Sequence, residues 1–319
     1  MIDFVSRRQF LAAAAGAGGL LAVLPAAGMA GAHTPPGTTA PLPVHLFSKH
    51  LQFLDYDELA GVAAELGFTG VDLTVRPDGH VRPEMVETQL PRAVAAIRKA
   101  GLLAVQITTG VSDAGSELDR RVLTTAAGLG ITHYRLNWYH YPERGSLPDA
   151  LRGFADQLAA LSALNRELGL VGCYQNHAGQ LVGASPWELA QLIDRADPAH
   201  LGVQYDIRHA TVEGGLSWPT GFRLLASRIR SVVLKDMRWE RVAGRGQVVD
   251  TPIGAGMVDF PAYFRLLRES GFRGAVVLHA EHPLGGAEHG ARTLTVPPSV
   301  VYTALRQDLA RVRALWAAI

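Results

Sequence analysis

The sequence predicts a (β/α)8 TIM barrel over residues 43–319. Short apolar runs alternate with longer amphipathic segments, and this strand–helix pair recurs eight times. The short runs are apolar throughout rather than at every second position, which is typical of parallel strands buried on both faces. Eight such units in about 280 residues match the usual size of this barrel. Several predicted helices end in glycine, the residue that favours the left-handed conformation of a helix end. These glycines are Gly67, Gly101, Gly130, Gly169 and Gly271.

Each strand is assigned from a short apolar run, and each helix from apolar residues three or four apart, as at Leu59, Val62, Ala63 and Leu66. A doubly wound open sheet is the alternative, but no glycine-rich phosphate loop follows the first strand. The predicted strands cover residues 44–47, 70–75, 103–108, 131–136, 170–174, 201–205, 231–235 and 274–279. The predicted helices cover residues 55–66, 83–100, 117–129, 148–168, 186–196, 219–229, 260–270 and 299–318.

Composition limits the class of protein. Apolar residues make up 48% of the 319 residues and charged residues 18%, which is enough for a sizeable core. Thirty basic and twenty-nine acidic residues give a net charge of +1, and no long basic run occurs. We therefore expect no binding to nucleic acid or to an anionic membrane surface. Cys173 is the single cysteine, which excludes an internal disulfide, and its apolar surroundings indicate a buried residue.

Residues 1–32 are predicted to be a twin-arginine (Tat) signal peptide. The segment SRRQFL at residues 6–11 is a twin-arginine pattern, and a long uncharged stretch rich in Ala, Gly and Leu follows it. Ala30-Gly31-Ala32 offers small residues for cleavage after Ala32. We expect recognition by the Tat translocase, a periplasmic or secreted product and no stable membrane insertion; an uncleaved anchor is the alternative. Residues 33–42 form a Pro/Thr-rich linker.

Polar side chains cluster at the carboxyl ends of the predicted strands, where a barrel of this kind places its chemistry. In the stretch 204–210, Asp206 and His209 stand three residues apart, at the point where strand six should end and a loop begin. This pair can hold a divalent metal, move a proton or form a structural hydrogen bond. Other strands end in similar groups, which favours one shared site. Those groups are Lys49 and His50, Asp72 and Arg76, 137–140, 175–177, Lys235 and Asp236, and 279–282.

The motifs resemble those of the sugar phosphate isomerase/epimerase family of xylose isomerase-like TIM barrels, and the resemblance covers residues 43–318. It implies a carbohydrate isomerase or epimerase, although the family also contains dehydratases, lyases and an endonuclease branch. The motifs are YQNHAG at 174–179, YDIRH at 205–209, VLKD at 233–236, PIGAG at 252–256 with VDF at 258–260, and the segment 274–281.

The resemblance also implies a divalent metal held by Glu, Asp, His and Glu from strands five to eight, with the two glutamates moving protons. This sequence keeps only the aspartate, as Asp206, and has Gln175, Val233 and His279 at the other positions. An amide oxygen can bind a hard cation but cannot act as a base, and valine can do neither. Two arrangements remain open. One is a rebuilt site for Mn, Zn, Mg or Fe on Gln175, Asp206 and His279; the other is a metal-free acid/base site.

Within this site we assign catalysis to Glu281 and Lys235. Glu281 is the carboxylate left after strand eight and is the expected general base. Lys235 is expected to polarise a sugar hydroxyl or carbonyl, and a structural ion pair with Asp206 or Glu281 is the alternative. Substrate contacts are expected from His177, His209, Arg208 and Trp138.

The expected function is that of an exported isomerase or epimerase that acts by proton transfer on a sugar or keto-sugar at the mouth of the barrel. A lyase or hydrolase of oxidised sugars is one alternative, and a periplasmic sugar-binding protein without catalysis is another. Barrels often bind phosphate after strand eight, where the Gly-rich segment 285–290 lies. Because Glu288 would repel a phosphate there, we expect an unphosphorylated substrate. The sugar and the oligomeric state stay open.

Overall fold

Eight parallel strands close into a barrel in the computed structural model, which describes residues 42–319. The predicted signal peptide and nearly all of the predicted linker lie outside the described residues. The strands of this part of the chain are β1 Val44–Phe47, β2 Gly70–Val75, β3 Leu103–Thr109, β4 His133–Arg135, β5 Val171–Gln175, β6 Leu201–Asp206, β7 Ile229–Leu234, β8 Asp236–Val242, β9 Arg245–Thr251 and β10 Ala275–Leu278. Going around the barrel, β1 is followed by β10, β7, β6, β5, β4, β3 and β2, which confirms the predicted TIM barrel.

The α-helices pack around the barrel, and the sequence explains where several of them begin and end. Asp55 and Glu58 form a reciprocal capping box at the first helix, and Gly67 ends that helix at a φ of 90°. Ser116, Ser146 and Ser185 accept backbone N–H groups at the starts of three others. The described helices are α1 Tyr56–Leu66, α2 Val86–Lys99, α3 Glu117–Gly128, α4 Leu147–Leu168, α5 Pro186–Leu192, α6 Ile207–Gly214, α7 Trp218–Leu225, α8 Phe260–Glu269 and α9 Pro298–Ala317. Between residues 42 and 319, no helix combines the length and the apolar character needed to cross a membrane.

Two features around strands six and seven differ from the prediction. Helix α6 starts directly after β6, because Asp206 accepts the backbone N–H of His209 and so caps the helix where a loop was expected. Strands β8 and β9 form an antiparallel hairpin between β7 and α8, where no strand was predicted. The hairpin is largely exposed and polar, so it lacks the apolar run by which the barrel strands were assigned.

Asp236 organises the segment that returns from this hairpin to α8. Its buried carboxylate accepts the backbone N–H groups of Met237, Gly254, Gly256 and Val258 at 2.8–3.1 Å. A Cβ atom on Gly256 would lie only 2.2 Å from the Asp236 carboxylate, so only glycine allows this approach. The backbone of the PIGAG and VDF motifs therefore binds the side chain of Asp236, the residue that directly follows Lys235.

Replacing Asp236 by alanine should lower the free energy of unfolding by about 3 kcal/mol, because four backbone donors lose their acceptor. Asp57→Ala is the matched control; this aspartate is exposed and makes only an exposed ion pair with Lys99, so a change within about 0.5 kcal/mol is expected. Urea denaturation measures both. Equal, small effects of the two substitutions would contradict the role given to Asp236.

Candidate functional site

A cavity of about 140 Å³ lies at the carboxyl ends of the barrel strands. It receives side chains from, or directly after, β1, β2, β4, β5, β7 and β10. The concentration of charged and aromatic groups in so small a space makes it the candidate site. Its lining residues are Phe47, Lys49, Arg76, Arg135, Trp138, Gln175, His177, Lys235, His279 and Glu281.

The centre of the site is a buried ion pair between Lys235 and Asp206. The Lys235 Nζ atom lies 3.1 Å from Asp206 Oδ2 and 2.8 Å from His209 Nε2, and the Asp206 carboxylate has no exposed surface. Burial raises the pKa of Asp206, whereas Lys235 and the backbone N–H of His209 favour its charged form. Lys235 thus supplies a fixed positive charge between strands six and seven.

Gln175 is held on both sides of its amide. Its Nε2 donates to Asp206 Oδ2 at 2.8 Å, and its Oε1 accepts from Arg135 at 3.2 Å. Turning the amide over would place its oxygen against the Asp206 carboxylate and its NH2 against the guanidinium, so both contacts fix the same orientation. The neighbouring Asn176 joins the same strands, since its side chain accepts the backbone N–H of Asp206 and donates to the carbonyl of that residue.

Glu281 extends into the cavity beside three cationic or protonatable groups. Its Oε1 atom lies 2.9 Å from Lys49 Nζ, 3.9 Å from Lys235 Nζ and 3.5 Å from His279 Nδ1. Burial alone would raise the pKa of Glu281, but Lys235, the nearby His279 ring and Lys49 together hold it well below its ordinary value. Glu281 is therefore a carboxylate at neutral pH, and all of these contacts fall on one of its two oxygens.

Three histidines meet the site, and each is held in the neutral form. Burial lowers the pKa of His177 to about 4 and that of His279 to about 3, with a smaller lowering by Lys235 in both cases. Burial and Lys235 also keep the pKa of His209 well below its usual value. The Nδ1 atom of His177 lies 3.0 Å from the carbonyl of Ala178, so it carries the proton and leaves Nε2 as an acceptor. His279 stacks on Phe47, and both of its ring nitrogens are buried without a hydrogen bond.

Of the two remaining predicted substrate contacts, Trp138 lies at the cavity and Arg208 lies away from it. Trp138 lines the cavity, donates its indole N–H to the carbonyl of Gln175 and lies under the Arg135 guanidinium at 4.1 Å. Arg208 does not line the cavity. Its guanidinium pairs with Asp250 of the hairpin at 2.7 Å, and it reaches the site only through Nδ1 of His209.

The donors present do not fit a divalent metal. Between residues 42 and 319 no three His, Cys, Asp or Glu side chains are arranged to hold one. Both polar ends of Gln175 are already used, Val233 offers no donor atom, and the Lys235 ammonium stands against Asp206. Of the three expected ligands, this leaves only His279 with donor atoms that the described residues do not use. A second cation there would face repulsion from Lys235. The described contacts therefore do not fit a metal on Gln175, Asp206 and His279, because the first two are committed to other partners.

Sequence reasoning missed Arg135 and gave no role to Arg76, Lys49 or Phe47, although all four line the cavity. Arg135 had a detectable signal, because it is a charged residue inside an apolar strand, where a charge is costly unless it is paired or functional. The positions of Arg76 and Lys49 depend on how the chain turns after each strand, which the local sequence does not show.

Comparison with known proteins places these features in a family. The family model described as xylose isomerase-like TIM barrel matches residues 60–295. An inosose dehydratase from Lacticaseibacillus casei is 27% identical over 144 residues, which cover 42% of this chain and 48% of the relative. The chain thus spans about half the length of the curated relatives that it matches.

Two solved structures share the fold at low identity. The 3-keto-D-glucoside 4-epimerase from E. coli is 17% identical with a TM-score of 0.65, over 86% of this chain and 99% of the epimerase. A xylose isomerase-like TIM barrel protein from Mycobacterium smegmatis in complex with magnesium is 13% identical with a TM-score of 0.62, over 86% and 98% of the two chains.

The histidine environments lead to a prediction about protonation. In NMR titrations that follow the ring Cε1–H signals, those of His177 and His279 should stay unchanged from pH 7 to pH 5, because burial disfavours their charged forms. His177→Gln and His279→Gln assign the two signals by their loss, and free histidine in the sample provides a standard that titrates at about 6.5. A midpoint close to that of free histidine for either residue would contradict the described burial.

Proposed function

The chain belongs to the xylose isomerase-like TIM barrel family, and from that premise we propose that it is a carbohydrate isomerase or epimerase that removes a proton from a carbon next to a carbonyl group. The observation that carries the proposal is the placement of Glu281 and Lys235, a carboxylate and an ammonium 3.9 Å apart in one cavity. Such a pair can take a proton from carbon and stabilise the negative charge that develops on the adjacent oxygen.

In the proposed reaction, the free oxygen of Glu281 takes the proton from the substrate carbon. The electrons of that C–H bond form a C=C bond, and the carbonyl electrons move to oxygen to give an enolate. Lys235 stabilises this enolate oxygen by charge and hydrogen bonding. Isomerisation follows when Lys235 gives a proton to the enolate oxygen and takes one from the hydroxyl group on the carbon that lost its hydrogen, so that this hydroxyl becomes the new carbonyl. The Glu281 carboxyl then delivers its proton to the former carbonyl carbon. This scheme uses only side chains of the chain itself and involves no bound metal.

The contacts of Glu281 link substrate binding to basicity. In the unliganded site Lys49 and Lys235 hold the pKa of Glu281 low, and a carboxylate so held is a weak base. Substrate oxygens that attract either ammonium would weaken these pairs and raise the basicity of Glu281 when the substrate is in place. Part of the binding energy would thereby make Glu281 a stronger base, in addition to holding the substrate in the site.

Epimerisation would require a second proton carrier on the opposite face of the substrate. His177 supports this variant, because it follows β5, which is separated from β10 by β7 and β6, and its Nε2 is an acceptor. In this variant Glu281 removes the proton from one face, a proton from solvent reaches the same carbon on the opposite face through Nε2 of His177, and Glu281 afterwards releases its proton to solvent.

A dehydratase is the second candidate, and it is supported by the similarity to inosose dehydratases. The first step is the same proton abstraction by Glu281. The enolate then expels a hydroxyl group from the next carbon as water, with a proton supplied by Lys49 or Lys235. A dehydratase therefore yields an unsaturated product that is lighter by one water, whereas an isomerase yields a product of unchanged mass.

Glu281→Gln should slow proton abstraction by about 100- to 10,000-fold, because an amide cannot accept the proton. Solvent hydrogen exchange reports this step directly: the enzyme is incubated in D2O with a panel of ketoses, keto-glycosides and inososes, and deuterium on carbon is measured by mass spectrometry. Product mass in the same samples separates isomerisation from dehydration.

Glu269→Gln provides the control, since this glutamate is exposed on α8. It should leave exchange unchanged. Exchange that is as fast in Glu281→Gln as in the wild type would exclude Glu281 as the base, and binding of sugars without any exchange would favour a binding protein.

A further inference from the structure

The cavity carries more positive than negative charge. Four cations line it, namely Lys49, Arg76, Arg135 and Lys235, and Glu281 is the single carboxylate of the lining. Two further carboxylates, those of Asp72 and Asp206, are buried beside them. Four cations against three carboxylates leave an excess of one positive charge. A neutral sugar has no group that would balance it.

The excess charge lies on the side of Arg76 and Arg135, because the other cations already have close partners. Lys235 pairs with Asp206 at 3.1 Å and Lys49 with Glu281 at 2.9 Å. Within residues 42–319, the half-buried Arg76 guanidinium makes no hydrogen bond and no ion pair. It lies over the Phe47 ring, 5.7 Å from the ring centroid. A guanidinium with free N–H groups that faces a cavity is suited to bind an anion through two parallel hydrogen bonds.

Arg135 stands near Arg76 and is also incompletely paired. It is 3% exposed, donates one N–H to Gln175, and has a buried Nε with no partner in the described part of the chain. Asp72 lies on β2, the strand that leads to Arg76, but its oxygens are taken by Gln106 and Thr108 of β3. Burial and, to a smaller extent, the charge of Arg76 lower the pKa of Arg135 to about 9, and the carboxylates of Asp72 and Glu281 offset only part of this lowering.

We propose that Arg76 and Arg135 bind a carboxylate on the substrate, so that the carbohydrate converted by this site is a sugar acid. This inference rests on the proposed function and specifies its substrate class. A singly charged carboxylate matches the excess of one positive charge. A phosphate dianion would bring a further negative charge next to Glu281 in a cavity of about 140 Å³. Arg76 follows β2 and Arg135 is the last residue of β4. A carboxylate held by these two arginines leaves the other end of the sugar facing Glu281 and Lys235, which follow β10 and β7.

The experiment compares the binding of matched sugars by calorimetry or by Trp138 fluorescence. The acids are D-glucuronate, D-galacturonate and the corresponding aldonates; the neutral partners are D-glucose and D-galactose, and glucose 6-phosphate tests the phosphate. At least one acid should bind about tenfold or more tightly than its neutral partner. Arg76→Met should remove that preference, so that the acid binds about as weakly as its neutral partner.

Arg76→Lys separates charge from geometry and should retain part of the preference, because lysine keeps the charge but loses the planar fork. Arg121→Met is the control, since Arg121 is exposed on α3 and does not line the cavity. Thermal unfolding should be similar for all variants, because Arg76 makes no hydrogen bond that the fold would lose.

Three results would overturn the inference: no acid binds more tightly than its neutral partner, glucose 6-phosphate binds more tightly than every carboxylate, or Arg76→Met leaves the preference intact. The binding test and the exchange test can fail separately. Tight binding of an acid without proton exchange would contradict the reaction and support the anion site, whereas exchange on a neutral sugar with no acid preference would do the reverse.

Discussion

The candidate site depends on the contact between the Lys235 ammonium and the buried Asp206 carboxylate. Removing both charges from water is costly, and the cost is offset only when further hydrogen bonds complete the pair. Here Gln175 donates to the same carboxylate oxygen, the backbone N–H of His209 donates to the other, and the His209 ring contacts Lys235. These contacts connect β5, β6 and β7 at the edge of the barrel where Glu281 also lies. This network fixes the position of Lys235, which in turn lies 3.9 Å from the Glu281 carboxylate.

The three departures from the family's ligand set are consistent with one another. A glutamate at position 175 would place a second carboxylate against Asp206, whereas Gln175 donates a hydrogen bond to it. Val233, paired in register with Asp206, is buried and adds no donor. The ammonium of Lys235 then supplies the single positive charge that the Asp206 carboxylate requires. The substitutions together describe a site in which a side-chain cation stands beside the aspartate that, in the family pattern, binds a metal.

The barrel could be predicted from the sequence because most of its strands lie in short apolar runs and several helices carry their own end signals. The convergence of Asp206, His177, Lys235 and Glu281 could also be anticipated, since the barrel brings the carboxyl ends of all parallel strands to one rim. Three features could not. The hairpin 236–251 has a polar sequence, the orientation of the Gln175 amide is set by Arg135 and Asp206 from other strands, and the free guanidinium of Arg76 depends on the path of the loop after β2.

The most direct test of the central claim is the metal content of the chain after it folds in the cytoplasm of cells grown with Mn, Zn, Mg and Fe. Elemental analysis of the purified protein, beside an Asp206→Ala variant, measures it. With Lys235 as the cation of the site, the wild type should contain far less than one metal ion per chain, and no more than the variant. One metal ion per wild-type chain, lost on replacing Asp206, would contradict the assignment of Lys235 as the cation of this site.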